Sequence, residues 1–216
     1  VTVNKDDQAI KIYDQLLLEF GNGSFVSKAI LRQGLVYYNA EKDEKALVKF
    51  KKVVADFPKS SEALEAVSTA RLIYVENGKV DEYAAWVRTL DFVAVTDADL
   101  DNDTYESAEK QYQQGNTSQA ISGFASYLTV FPKGIHVLQA HFYLGQLRYA
   151  NGLEEKAATN YDYVIAEPRN EFTEPSLVRL AQIVLKSKEV DKAILVLTRI
   201  ENEADLLSNK TFAQAN

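Results

Sequence analysis

A 37-residue period constrains this chain more than any other feature. Read at Ala9, Ala46, Tyr83, Ala120, Ala157 and Ala193, the sequence returns to one slot in steps of 37, 37, 37, 37 and 36. The clearest copies are GLVYYNAEKDEKALVKFKKVVADFP from Gly34, AEKQYQQGNTSQAISGFASYLTVFP from Ala108 and GQLRYANGLEEKAATNYDYVIAEP from Gly145. Each sets a small residue (Gly34, Ala108, Gly145) ahead of an alanine (Ala46, Ala120, Ala157), an aromatic (Phe50, Phe124, Tyr161) and a closing proline (Pro58, Pro132, Pro168). A more distant copy runs through Ala181, Ala193 and Leu197, and a leading half copy through Ala9 and Tyr13. A unit of this length cannot bury an apolar face alone, so copies of it have to stack.

Within a unit the apolar spacing is that of two helices. Ile30, Gly34, Tyr37 and Tyr38 recur at helical intervals, Asn39 to Asp43 interrupt them, and Ala46, Leu47, Phe50, Val53 and Val54 resume with a period near 3.6. The small residues Gly34, Ala108, Gly145 and Ala181 are placed where the two axes cross, because only a short side chain permits the near end of ~8–10 Å separations. Asn77-Gly78, Gly115-Asn116 and Asn151-Gly152 supply turn positions that tolerate positive φ, and the prolines stop the second helix. Helices of ~13 residues are marginal alone and need a neighbour.

On these residues the chain resembles tetratricopeptide repeat (TPR) proteins. The resemblance runs over roughly residues 9–208 and implies an all-α, right-handed α-solenoid of stacked helix hairpins. The expected division is a partial unit at 1–26, units at 27–63, 64–100, 101–137, 138–173 and 174–208, and a tail at 209–216, all in one solenoid. The second full unit departs from the pattern, with Arg71 and Tyr83 in the small-residue slots and Ala70 and Ala84 beside them, which predicts a one-residue local shift. The stride is ~3 residues longer than the commonest TPR unit. With Phe57-Pro58-Lys59-Ser60, Phe131-Pro132-Lys133-Gly134 and Glu171-Phe172-Thr173-Glu174, it is similar to the longer TPR variety of bacterial cell-envelope proteins. That likeness implies a periplasmic or outer-membrane-associated place, the cytoplasm being the alternative, and association with envelope proteins. With no Met at position 1, a lone second helix over 5–20 and no obvious capping helix, the chain is expected to be a stretch of a longer array.

Composition narrows the function. A formal net charge of −7 and a single sizeable basic cluster, Lys49, Lys51 and Lys52 beside Glu41, Asp43 and Glu44, disfavour nucleic acid, since phosphate contacts need grouped cations. No Cys is present, which excludes thiolate chemistry and disulfides, and no apolar run reaches the ~18–20 residues of a membrane span. Asp97, Asp99, Asp101 and Asp103 alternate like a calcium loop, but Asn102 and Ala108 stand where such a loop needs Gly and Glu. They read as an exposed connector that caps the next helix. His136 and His141, five apart on a helix, diverge by about 140° and cannot chelate from one face. No metal site, cofactor or catalytic constellation is expected, so the chain is not expected to be an enzyme. Trp86 is expected to fill the irregular second unit.

A protein-binding surface is the remaining candidate. The TPR resemblance implies a concave face lined by first helices, here Tyr38, Asn39, Tyr105, Glu109, Tyr112, Phe142, Gln146 and Tyr149. Tyr38, Tyr112 and Tyr149 share one slot and form a ladder whose rings and hydroxyls suit a peptide, unless they pack between helices instead. The cationic clamp by which some TPR domains hold a terminal carboxylate is missing, Leu31 and Leu35 standing in its place. The expected function is a non-catalytic protein-interaction scaffold. The alternatives are a structural spacer within an envelope assembly and a module that stacks cell-wall glycan on its aromatics.

Overall fold

The computed structural model describes residues 5–21, 23 and 25–216. Residues 1–4, 22 and 24 of the leading partial unit lie outside that set. Among the described residues the secondary structure is helical: α1 (Lys5–Glu19), α2 (Val26–Asn39), α3 (Asp43–Asp56), α4 (Ser61–Glu76), α5 (Val80–Val87), α6 (Asp97–Gln113), α7 (Thr117–Val130), α8 (Val137–Ala150), α9 (Glu154–Ala166), α10 (Thr173–Ser187), α11 (Val190–Glu203) and α12 (Leu207–Ala215). They pair as α2–α3, α4–α5, α6–α7, α8–α9 and α10–α11, each pair joined by a short turn. The chain divides into two compact units, Val1–Leu100 and Asp101–Asn216.

The turns repeat one geometry. Glu41, Gly78, Gly115, Gly152 and Lys188 each have φ between 55 and 76°, at steps of 37, 37, 37 and 36 along the chain. The residue after each donates its backbone N–H to the carbonyl five back: Lys42 to Tyr37, Lys79 to Tyr74, Asn116 to Gln111, Leu153 to Arg148 and Glu189 to Val184, at 2.8–3.0 Å. This is the Schellman closure, which satisfies carbonyls orphaned at a helix end and needs a left-handed residue to do so. The second helix then begins at the residue after that donor in each hairpin.

Hairpins close on the small residues. A Cβ built on Gly34 would lie 2.5 Å from the Phe50 ring, and one on Gly145 would lie 2.9 Å from the Tyr161 ring. In α6–α7 the roles reverse: Ala108 is the first-helix residue, and Gly123 is the one without room for a side chain, its Cβ position 2.9 Å from that of Ala108. Ala46, Phe50, Ala120, Phe124, Ala157, Tyr161 and Ala181 are fully buried and Ala193 nearly so. The proline-marked exits follow: α3 ends at Asp56 before Pro58, α7 at Val130 before Pro132, α9 at Ala166 before Pro168.

The irregular hairpin α4–α5 is resolved differently in its two halves. In α4 the expected shift occurs, Ala70 being buried and Arg71 half-buried. In α5 Tyr83 keeps the slot and is buried, and Ala84 is buried beside it. Accommodating the ring builds an aromatic cluster, with Tyr83 at 6.0 Å and Trp86 at 6.4 Å from Tyr74. Lys51 lies over both Tyr74 and Trp86, 5.6 and 5.5 Å from their centroids. In the basic cluster Lys51 and Lys52 are exposed, and Lys51 also covers these rings with its cation and stem.

Candidate protein-binding wall of the second unit

The second unit builds its wall from first helices α6, α8 and α10. On α6, Tyr105, Glu109 and Tyr112 share a stripe at i, i+4 and i+7. Tyr105 is turned inward, against the expectation that it lines a groove: it packs on Phe124 at 5.8 Å, on Tyr127 at 5.7 Å and flat on His136 at 4.2 Å. Its hydroxyl donates to Glu109 at 3.0 Å, and burial, then Glu109, pushes its pKa well above the ordinary phenol range. Phe142 is likewise buried, at 4.6 Å from Phe172. Tyr105 packs on α7 of its own hairpin and on His136 at the entry to the next, and Phe142 packs on Phe172 at the entry to α10; in both cases a flat ring fills space between helices.

Tyr112 and Tyr149 are half-buried and make one contact twice. The Tyr112 hydroxyl donates to Gln146 Oε1 at 3.5 Å and the Tyr149 hydroxyl to Gln182 Oε1 at 3.4 Å, each reaching the next hairpin's first helix at the long limit of a hydrogen bond. The Tyr112 ring rests at a tilt against Tyr143, 5.1 Å between centroids, so part of it is covered by the next hairpin. In the first unit Tyr38 is half-buried and Asn39 exposed, and Leu72 occupies the slot that Gln146 and Gln182 hold. The tyrosine–glutamine pairing thus belongs to the second unit. Tyr143, Arg179 and Gln182 were not singled out by sequence reasoning; the 36-residue step from Gln146 to Gln182 was the available signal. Arg179 is exposed, lies over the Tyr149 ring at 5.2 Å and donates through Nη1 to Gln182 Oε1 at 3.0 Å.

The aspartate run is not an exposed connector. Its four members lie inside α6, where alternate positions are ~200° apart and cannot converge on one ion. Asp101 and Asp103 are buried. Asp101 accepts the Tyr127 hydroxyl at 2.5 Å and the Ile135 N–H at 3.0 Å, while the Tyr127 oxygen accepts the His136 N–H at 2.9 Å. Gly134 has to be small there, since a Cβ would meet both Tyr127 and Asp101. The expected capping is made by one member of the run, Asp99, together with Thr96: Thr96 Oγ1 accepts the Asp99 N–H at 3.1 Å and Asp99 Oδ2 accepts the Thr96 N–H at 2.9 Å. A second carboxylate does for α12 what Asp101 does for the approach to α8: Glu174 accepts from the Asp205 and Leu206 N–H groups and from Asn209 Nδ2, at 2.8, 3.1 and 2.6 Å.

The histidines are packing residues. His136 precedes α8 and pairs Nε2 with Asn102 at 2.9 Å; His141 stacks on Tyr163 at 3.9 Å and pairs Nδ1 with Asn160 at 3.1 Å. Burial depresses the His141 pKa, which favours the neutral ring. Among the described residues no group of His, Asp and Glu side chains could hold a metal ion, and no helix is long and apolar enough to cross a membrane.

Residues 28–60, which span α2 and α3, match the tetratricopeptide repeat family model. No curated protein matches the chain. Among solved structures, one from the functional characterisation of Pseudomonas aeruginosa pilF is 14% identical with a TM-score of 0.45, covering 99% of this chain and 100% of that one. A thermophilic TPR protein of Thermus thermophilus is 19% identical over 88% and 97% of the two chains with a TM-score of 0.38. TPR-like repeats of a putative kinesin light chain of Podosopora anserina are 15% identical over 90% and 100%, with a TM-score of 0.40. Among the described residues the chain is all-α and built of repeated helix hairpins, and the hairpin at residues 28–60 matches the tetratricopeptide repeat model.

Proposed function

We propose that the chain is a non-catalytic scaffold that binds a segment of a protein partner along the first helices of its second unit. TPR hairpins in general serve protein–protein association. The observation that carries the reading is the pairing of Tyr112 with Gln146 and of Tyr149 with Gln182. A hydroxyl from one hairpin faces the amide oxygen of the next, which turns that carbonyl toward the tyrosine and leaves the NH2 as the donor for a ligand. Donors set one hairpin apart along a rigid wall suit an extended chain, and the half-buried tyrosines add amphipathic area. Glycan stacking is less well supported, because the Tyr112 ring already lies against Tyr143 and is centred 6.5 Å from Phe124.

The envelope location implied by the sequence resemblance is part of this proposal, and fractionation of the producing cell tests it. The binding surface is tested by a photo-crosslinking residue placed at Gln113, on the wall side of α6, or at Glu155, on α9. Adducts with cellular protein are expected from Gln113 alone. Equal labelling at both positions, or none at either, removes the wall as the binding surface.

A further inference from the structure

We infer that the wall formed by α8 and α10 reads an acidic side chain within an extended segment of the partner, through Arg179. The inference rests on the binding surface proposed above and adds the chemistry of what it takes.

Gln182 decides the local polarity. Its Oε1 accepts Arg179 Nη1 at 3.0 Å and faces the Tyr149 hydroxyl at 3.4 Å, so the oxygen is turned to these donors and Nε2 is left as a donor. Arg179 is a fork of N–H groups with one committed to Gln182, and a guanidinium has no acceptor. It lies over the Tyr149 ring at 5.2 Å, so ring and amide together hold its plane. Among the described residues Arg179 makes no salt bridge, and it is exposed. One hairpin earlier, Gln146 has its Oε1 turned to Tyr112. The patch therefore offers donors and one formal positive charge, and the complementary group is an anionic acceptor. A carboxylate met by a pre-oriented guanidinium forms short charge-assisted hydrogen bonds with little further ordering of the arginine.

The same residues favour a side chain over a chain terminus. A terminal carboxylate beside other acidic groups calls for several cations, and the next lysine on α10, Lys186, is tied to Glu154 at 2.6 Å. A single carboxylate beside peptide carbonyls matches one arginine held next to the Gln182 amide. The protein's net charge of −7 opposes an acidic partner at long range, but exposed charges are screened beyond ~8 Å at physiological salt, and the contact itself is local.

The test uses three fluorescein-labelled nine-residue peptides of Gly, Ser and Ala, read by anisotropy with the full chain. One carries a central Glu and an amidated C-terminus, the second a central Gln and an amidated C-terminus, and the third a central Gln and a free C-terminal carboxylate. The Glu peptide is expected to bind roughly tenfold more tightly than the amidated Gln peptide. Arg179→Gln should erase that difference and Arg179→Lys should keep part of it, because an ammonium restores charge but not the fork. Melting curves of both variants check that the fold is kept. The inference is overturned by equal binding of the Glu and Gln peptides, by a preference that survives Arg179→Gln, by binding of the free-acid Gln peptide as tight as that of the Glu peptide, or by no binding of any. Equal binding of the Glu and Gln peptides that is lost in a Tyr149→Ala variant would leave the binding wall standing while removing its charge preference.

Discussion

At Gly34 the absence of a side chain is a packing requirement set by one ring. Phe50 is fully buried and its edge occupies the space where a Cβ would stand, 2.5 Å away. Helix propensity favours Ala over Gly by ~1 kcal/mol, but overpacking a closed core costs about 1–3 kcal/mol, so Gly34→Ala should destabilise. Phe50→Ala should cost about 3–5 kcal/mol by leaving a cavity. The two changes together should fall short of their sum, because the ring that alanine would strike is gone; denaturant melts of the two single variants and the double variant measure the coupling. Tyr161 presents the opposite case: its ring sits under Gly145, its hydroxyl is buried without a hydrogen-bond partner, and burial pushes its pKa up to about 12. The aromatic at this slot is thus selected for area, and its polar tip is a liability that Phe50 and Phe124 avoid.

At the scale of single helices, ends matter more than faces. Three of the five left-handed turn positions are glycine, but Glu41 and Lys188 carry side chains at φ 55 and 61°. Left-handed backbone costs an L-residue roughly 1–2 kcal/mol, and glycine gives back part of that gain as chain entropy. Glu41→Gly should therefore stabilise by a few tenths to about 1 kcal/mol in urea unfolding, whereas Gly152→Ala should destabilise. The α12 terminus hangs on Glu174. Burial raises the pKa of that carboxyl, yet the bonds from Asn209, Asp205 and Leu206 outweigh it and the pKa lies below its ordinary value. Protection from this group is therefore complete above the usual glutamate range and fades as pH falls through the depressed value. Amide exchange in residues 207–215 should speed up below pH ~4, and Glu174→Gln should flatten that dependence. Exchange that is independent of pH in the wild type, after correction for intrinsic rates, would contradict it.

For the whole molecule the stride itself is testable. Removing residues 113–149 joins Tyr112 to Ala150, the residue that follows the equivalent Tyr149, so helical content per residue and cooperative melting should persist. A deletion of half that length should abolish both. If biological activity tolerates changes at Gln146 and Gln182 but not the full-stride deletion, the chain acts as a spacer rather than a binder. The sequence made the hairpins legible because Gly34, Ala46, Phe50 and Pro58 recur at a fixed distance and their chemistry is local: a close approach, a ring, a stop. It did not reveal which rings face outward, since Tyr105 and Tyr112 lie on one stripe of α6 and differ in what other helices set against them, α7 and His136 for Tyr105 and Tyr143 for Tyr112. The aspartate run was misread for a related reason. Alternation suggested a loop, whereas Asp101 was needed inside a helix by Tyr127 and Ile135, partners 26 and 34 positions away. Arg179 is not legible in the sequence because its setting depends on an amide and a tyrosine ring, the latter from another hairpin. The Schellman turns carry one last implication. Since each hands the chain on with the same bond pattern, they are natural seams, where a hairpin taken from one place could be spliced into another, and where lineages could lengthen or shorten the molecule without redesigning a joint.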